Sequence, residues 1–264
     1  MKKNLQVAIQ AAIDGGAEIM KIYQNDFHVE MKDDNSPLTV ADKNANDIIN
    51  TYLVKTAHPI ISEENKQTDY SIRKDWNTCW IVDPLDGTKE FVKRNGEFTV
   101  NIALIKNQKP ILGVIYVPDT KVLYYADVEK QSAYKCVLKS HTTDFEEISK
   151  NSVAIEPNTL KSKIIKVVGS RSHRSIETED FINSLQSDYE KVEIVSKGSS
   201  LKFCMVAEGI ADVYPRFAPT MEWDTAAGQA ICEAVGLRVI SKETNKSLLY
   251  NRENLLNSWF LVSK

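Results

Sequence analysis

The sequence predicts a chain of two differently built halves, an α+β half in which two helices cover an antiparallel sheet, followed by an α/β half. Three observations carry this. Apolar residues recur at helical spacing from Leu5 to Ile22 and again from Ala41 to Leu53, before any strand pattern appears. Short apolar or alternating runs then succeed one another from Pro59 to Leu138. From Ile164 onward, strand-like and helix-like runs take turns.

In order along the chain, Leu5, Ile9, Ala12, Ile13, Ile19 and Ile22 give an amphipathic helix over 4–23. Asp14 and Glu18 interrupt its apolar stretch, so it reads as a helix of the fold and not as a signal peptide. A polar patch, "KDDNSPLT", leads to "VADKNANDIINTYLVKTA", a second helix with Ala41, Ala45, Ile48, Ile49, Tyr52 and Leu53 on its apolar face. "PIIS" and "CWIV" are short strands. "FTVNIALI" alternates and pairs across "KNQKP" with "ILGVIYV" as a hairpin, and "KVLYYAD" and "SAYKCVL" extend a meander. Residues 139–162 carry Pro157 and no sustained period, and read as a connection. Beyond it come "IIKVVGS", "ETEDFINSLQ", "KVEIVS", "SLKFCMVAEG", "ADVYPR", "DTAAGQAICEAVG", "LRVIS" and "SWFLVS".

At 264 residues the chain buries a sizeable core without disulfides or structural metal. It is 42% hydrophobic and 26% charged with a net charge of −3, which does not advertise a nucleic-acid polymer as partner. Cys79, Cys136, Cys204 and Cys232 stand in apolar runs without a CxxC pair, so they read as buried thiols of a reducing compartment. No window approaches the roughly 18 apolar residues that span a bilayer, and a cytoplasmic location is the expectation.

The acids hold the chemistry. "WIVDPLDGTKEF", residues 80–91, ends an apolar strand on Asp83 and Asp86, followed by Gly87 and Thr88. Pro84 cannot donate to a ladder and turns the chain, so both acids and the Leu85 carbonyl can converge on one point. Oxygen ligands of this kind suit Mg²⁺, but an Asx-type turn explains the same residues. Glu63 and Glu64 leave a second strand and fit either a solvated loop or the same centre. Asp42 fits a capping box with Thr39 at the start of the second helix. Asp224 fits the N-terminal end of a helix whose apolar face is Ala227, Ala230, Ile231 and Val235, a place that also suits an anion or a metal-binding carboxylate.

"WIVDPLDGTKEF" together with "EWDTAAGQAICEAVG" resembles the inositol monophosphatase superfamily of Mg²⁺-dependent, lithium-sensitive phosphomonoesterases. Within it, "DNSPLTVAD", "SEE", "DPLDGTKEFVKRNGEFTVNIALI", "GSRSH" and "GSSLKFCMVAEGIADVYPRF" are similar to the 3'(2'),5'-bisphosphate nucleotidases of the CysQ type. The resemblance covers nearly the whole chain. It implies a layered α-β-α-β-α sandwich, with residues 1–138 as a lobe carrying most metal ligands and 139–264 as a lobe carrying the nucleotide contacts and Asp224. It implies two to three Mg²⁺ ions between the lobes, on Glu63, Asp83, the Leu85 carbonyl, Asp86 and Asp224. Catalytic roles fall on Asp42, Glu63 and Thr88: Glu63 and Thr88 hold the attacking water, and Asp42 polarises Thr88. Phosphate-ester hydrolysis is mostly positioning and charge neutralisation, which these residue types supply. Dications also remove the like-charge penalty between Asp83 and Asp86.

The same resemblance implies a substrate, adenosine 3',5'-bisphosphate, hydrolysed to AMP and phosphate. Glu63, Leu85, Asp86, Gly87, Thr88 and Asp224 surround the reacting phosphate, and Gly87 lets backbone N–H groups approach it. Ser172, His173, Ser199, Lys202 and Arg216 hold the rest of the nucleotide, with Arg171 on the same loop; each on its own reads equally as a surface residue. An inositol monophosphatase or a broad sugar-phosphate phosphatase uses the same metal core, and a nucleotide-sensing module without catalysis is the reading from another class. Glu222 adds an acid two residues before Asp224, and Trp223 packs beneath the site. A homodimer, loose association with the inner membrane and cleavage of 3'-phosphoadenylyl sulfate are further implications of the family.

Overall fold

The apolar spacing near the N-terminus folds into α1 (Lys3–Tyr23), which buries Leu5, Ile9, Ala12, Ile13 and Ile19 on one face. The computed structural model describes residues 2–24, 29–31, 37–160, 162–169 and 175–264, with side chains except at 29–31 and 37–39. A two-stranded ribbon, β1 (Val29–Met31) and β2 (Pro37–Thr39), leads into α2 (Val40–Leu53). β2 falls in the stretch read from sequence as a polar patch and β1 just before it, and the Thr39 side chain of the expected capping box is outside the described residues. Asp42 stands in the first turn of α2.

A seven-stranded sheet follows, in the order β3-β4-β5-β6-β7-β8-β9. Its strands are β3 (Ile60–Ser62), β4 (Thr78–Asp86), β5 (Thr99–Lys106), β6 (Lys109–Val117), β7 (Val122–Asp127), β8 (Ser132–Val137) and β9 (Val153–Ala154). The expected antiparallel sheet has one parallel pair, β3 with β4, because a crossover bearing α3 (Tyr70–Arg73) returns the chain in the same direction. The β5–β6 hairpin closes on two residues, Asn107 and Gln108, with φ of 49° and 63°, a tighter turn than the five-residue link read from sequence. α4 (Thr88–Val92) leaves the end of β4. The segment 139–162 holds a helix that the sequence reading passed over, α5 (Phe145–Asn151), whose N-terminal N–H groups donate to Asp144. Seven residues are too few to establish a period, so its cap is the only local signal.

The remainder is strand and helix in turn: β10 (Ile164–Gly169), α6 (Ile176–Ser184), β11 (Lys191–Ser196), α7 (Leu201–Ala207), β12 (Tyr214–Arg216), α8 (Glu222–Ala234), β13 (Arg238–Ser241) and β14 (Phe260–Ser263). β10 and β11 pair in parallel, β12-β14-β13 pair antiparallel, and a parallel bridge from Val167 to Val213 ties the two groups together. One core joins α1 and α2 to one face of the large sheet; a second packs α7 and α8 against its other face. Every residue of α7 is buried, as expected of a helix held between two sheets. A third cluster places α6 against β10, giving the layers α-β-α-β-α. Gly113 lets α8 lie directly on β6, for a Cβ there would come within 2.6 Å of the Ala227 carbonyl oxygen. All four cysteines are buried and unbridged. No helix among the described residues is long and apolar enough to cross a membrane.

Candidate active site

In a regular strand, residues three apart face opposite sides of the sheet, so Asp83 and Asp86 on β4 ought to point apart. The register shows why they do not. Asp83 pairs with Asn101 and Asp86 with Thr99, so β4 carries one residue more than β5 between these pairs. This bulge at Pro84-Leu85 brings both acids to one side. Asp83 Oδ1 accepts the Leu85 N–H at 3.1 Å, so the Asx-type turn and the acid pair are the same structure. The Leu85 side chain is buried in the α1–α2 core, which anchors the turn. Glu63 follows β3, whose parallel pairing continues as the Glu63 N–H donates to the Val82 carbonyl. Gly87 then caps α4 with φ of 92°, and Thr88 is the first residue of that helix. A side chain at Gly87 would meet the Glu97 carbonyl at 3.2 Å and Ser199 Cβ at 3.3 Å.

The second half supplies the facing wall. Asp224 is the third residue of α8 and not its cap; its Oδ2 accepts the Met221 N–H at 2.8 Å. Ser199 precedes α7 with φ of 45°, and the buried Lys202 one turn later donates its ammonium to the Ser199 and Lys197 carbonyls. Its Nζ also lies 5.6 Å from the centre of the Tyr214 ring, within cation–π reach. Arg216 ends β12 and donates from Nη2 to the Pro219 carbonyl at 3.1 Å, while its buried Nε finds no partner among the described residues. Asp86, Gly87, Ser199, Lys202, Arg216 and Asp224 line one cleft of about 170 Å³.

The charges in and behind this cleft are coupled. Burial pushes the Asp83 carboxyl well above its usual range, and Glu63, Asp86, Asp224 and Asp42 push it further. Asp86 is raised by burial, against the pull of Lys202, the Ser200 N–H and the Asn101 amide. Asp224 is pushed up to about 8, by burial first and Asp86 next. Burial brings Lys202 down to about 8, with the Asp86 carboxylate opposing the drop. Five carboxylates thus share one region with two cationic side chains, an excess of buried negative charge that an oxygen-coordinated dication would relieve. The donor set fits a hard cation such as Mg²⁺. Among the described residues no three acidic, His or Cys side chains yet converge closely enough to grip an ion. Instead Asp83, Asp86 and Asp224 are turned onto N–H donors of Leu85, Asn101 and Met221.

The structure therefore gathers Asp86, Gly87, Ser199, Lys202, Arg216 and Asp224 at the cleft, with Glu63, Asp83 and Asp42 electrostatically joined behind it and Thr88 at the adjoining helix start. Ser172 and His173, with Arg171, lie outside the described residues. Sequence reading missed Asn101, which is 1% exposed, donates to Asp86 at 3.4 Å and accepts from the Ser200 hydroxyl at 2.7 Å. A lone polar side chain in an apolar strand was its signal. Glu90, Tyr214, Thr220 and Thr225, which also line the cleft, sit among ordinary helix, strand and cap residues and gave none.

A layered α-β-α-β-α sandwich with an acid-rich cleft between its two sheet systems defines the class. The inositol monophosphatase family model matches residues 1–260, and the chain belongs to that family. The 3'(2'),5'-bisphosphate nucleotidase CysQ of Salmonella typhimurium is 41% identical over 98% of this chain and 99% of its own. The crystal structure of CysQ from Bacteroides thetaiotaomicron, a bacterial member of the family, superposes with a TM-score of 0.89 at 48% identity, covering 100% of this chain and 97% of that one. An IMPase of Thermotoga maritima shares the fold at a TM-score of 0.74 and 21% identity, over 99% of this chain and 92% of that one.

Proposed function

We propose that the protein is a Mg²⁺-dependent phosphomonoesterase that hydrolyses the 3'-phosphate of adenosine 3',5'-bisphosphate, yielding AMP and inorganic phosphate, and that it also converts 3'-phosphoadenylyl sulfate to adenylyl sulfate. The observation that carries this reading is one cleft with a carboxylate wall facing Lys202 and Arg216. An acid wall alone serves any phosphomonoester; the cations opposite suit a second phosphate that stays on the product. The near full-length likeness to named bisphosphate nucleotidases supports the same substrate class. The catalytic unit comprises both halves, 1–138 and 139–264.

Glu63, Asp83, Asp86, Asp224 and the Leu85 carbonyl would hold the metal, two to three ions in all. Mg²⁺ would supply charge neutralisation at the phosphate and acidify the attacking water. Glu63 and Thr88 orient that water, with Asp42 accepting from the Thr88 hydroxyl. The N–H groups of Gly87 and Thr88, at the positive end of α4, face the reacting phosphate. Arg216 grips the remaining phosphate through a planar pair of donors, and Lys202 acts as a point charge beside Ser199. Ser172 and His173 complete the nucleotide contacts.

Phosphate release from adenosine 3',5'-bisphosphate and from inositol monophosphate, each with and without Mg²⁺, tests this. The expected result is Mg²⁺-dependent release that is much faster from the nucleotide. Equal or faster release from inositol monophosphate overturns the substrate assignment, and undiminished release under chelation overturns the metal.

A further inference from the structure

Glu222 is an acid that the proposed chemistry leaves unused. Its side chain is 0% exposed and is absent from the cleft wall. Oε2 accepts the Asn251 N–H at 2.6 Å, and Oε1 accepts both the N–H and the Nε–H of Arg252 at 3.1 Å. Two successive backbone N–H groups converge on one carboxylate because Asn251 adopts a left-handed φ of 57°, a conformation that asparagine tolerates better than most residues. The Asn251 amide reaches on to the other half of the molecule: it donates to the Arg73 carbonyl at 2.7 Å and accepts from Arg73 Nη1 at 3.1 Å. Arg73, 4% exposed, also donates through Nη2 to the Glu253 carbonyl at 2.8 Å. It ends α3, on the crossover that enters β4.

The same loop brackets the start of α8 on its other side. The Glu222 N–H donates to the Leu255 carbonyl at 2.9 Å, and the Asn257 amide donates to the Met221 carbonyl at 2.8 Å and Thr225 Oγ1 at 3.0 Å. Asp224 sits inside this bracket, two residues from Glu222 in the first helical turn. A carboxylate held by three N–H donors and sealed from solvent is no ligand for substrate or ion. It fixes backbone.

We infer that Glu222, with Asn251, Arg252 and Arg73, is a positioning set that holds Asp224 against the acids of β4, and so tunes metal affinity without touching metal or substrate. The inference rests on the metal reading above. Partners that orient metal ligands typically contribute about 10- to 100-fold in affinity or activity. The test is calorimetric titration of the full chain with Mg²⁺ in the absence of substrate, together with kcat and KM for the bisphosphate at saturating metal. Glu222→Gln turns an amide NH₂ toward the Arg252 donors. Asn251→Gly keeps the left-handed backbone but removes the bridge to Arg73, and Arg73→Lys keeps charge but loses the fork. Each should weaken Mg²⁺ binding, Glu222→Gln by about tenfold or more and Arg73→Lys least, with KM within about twofold of the unaltered chain. Ile148→Ala, a core truncation in α5, serves as a destabilised control and should bind Mg²⁺ normally. Should Glu222→Gln fail to fold, the other two variants carry the comparison. Unchanged Mg²⁺ affinity in the foldable variants, or an equal loss in Ile148→Ala, overturns the positioning role alone. An unaltered chain that takes up no Mg²⁺ overturns both readings.

Discussion

Asp83 and Asp86 leave a single strand and are fixed by its ladder, one register pair after another, whereas Lys202 and Arg216 arrive from a helix and a separate strand. The acids gain their geometry from backbone hydrogen bonds within a seven-stranded sheet and lean on buried N–H donors. Of the two cations, Lys202 is sealed in and tied to carbonyls, while Arg216 is half-buried with an unused Nε donor. The electrostatic cost is distributed in the same way: the acids repel each other and rise above their usual range, and Lys202 falls below its own. The part expected to do chemistry is strained by charge; in the part expected to choose substrate Lys202 is fully engaged and Arg216 keeps one spare donor. Arg216 is still felt by the acid wall, since its charge lowers the Asp224 carboxyl against the pull of burial.

Three measurements put that contrast to the test. Asp83→Asn should have the largest effect, lowering kcat on the order of a thousandfold, because every other acid in the cluster is coupled to Asp83. Steady-state turnover near that of the unaltered chain would remove Asp83 from the chemistry.

The next effect is on stability. In chelator, Asp83, Asp86 and Asp224 hold protons more tightly folded than unfolded, so the folded chain binds more protons across the window from the ordinary carboxylate range up to about 8. Stability of the metal-free protein is then present below that range and is lost as pH rises through the window. Lys202, lowered to about 8, stays protonated over most of it. Thermal unfolding in chelator should show Tm falling from about pH 5.5 to about pH 7.5, by roughly 2–4 °C for each kcal/mol lost. Saturating Mg²⁺ should flatten the slope and raise Tm, by about 2.7 kcal/mol of stability at a hundredfold excess over Kd. A Tm that climbs across this window without metal contradicts the coupled cluster.

Arg216→Lys should be the mildest. It keeps charge but loses paired donors, and kcat/KM for the adenosine bisphosphate should fall by roughly tenfold, about 1.5 kcal/mol. Turnover of a substrate with a single phosphate should hardly change. Equal losses on both would make Arg216 part of the common machinery.

Much of this was readable from sequence where the pattern is local. α1, α2 and the β5–β6 hairpin follow from side-chain period, and β4 from the apolar run Cys79–Val82, which the strand outlasts as far as Asp86; Asp83 and Asp86 stand out because acids at the end of an apolar run are costly, and Asp224 because it opens a helix. The parallel pairing of β3 was not legible, since an apolar strand of three residues carries no direction. Asp224 fits the start of a helix from sequence, and it does serve the cap there, but from the third helical position: its side chain accepts the N–H of Met221, a residue type with no capping signature. Glu222 was visible only as a surplus acid. Its partners Asn251 and Arg252 lie at the far end of the chain, and Arg73 precedes β4, so no window of sequence contains the set.

The extra residue in β4 has a consequence for how such a site can change. A ladder counts in twos, and one surplus residue reverses the parity of everything beyond it. Deleting Pro84 would leave β4 free to pair with β5 and, because residues two apart share a face, would keep Asp83 and Asp86 on one side; what it removes is the turn in which Asp83 accepts the Leu85 N–H. A single-codon deletion therefore separates two things the bulge joins: it spares the shared face of the acids and erases the turn between them.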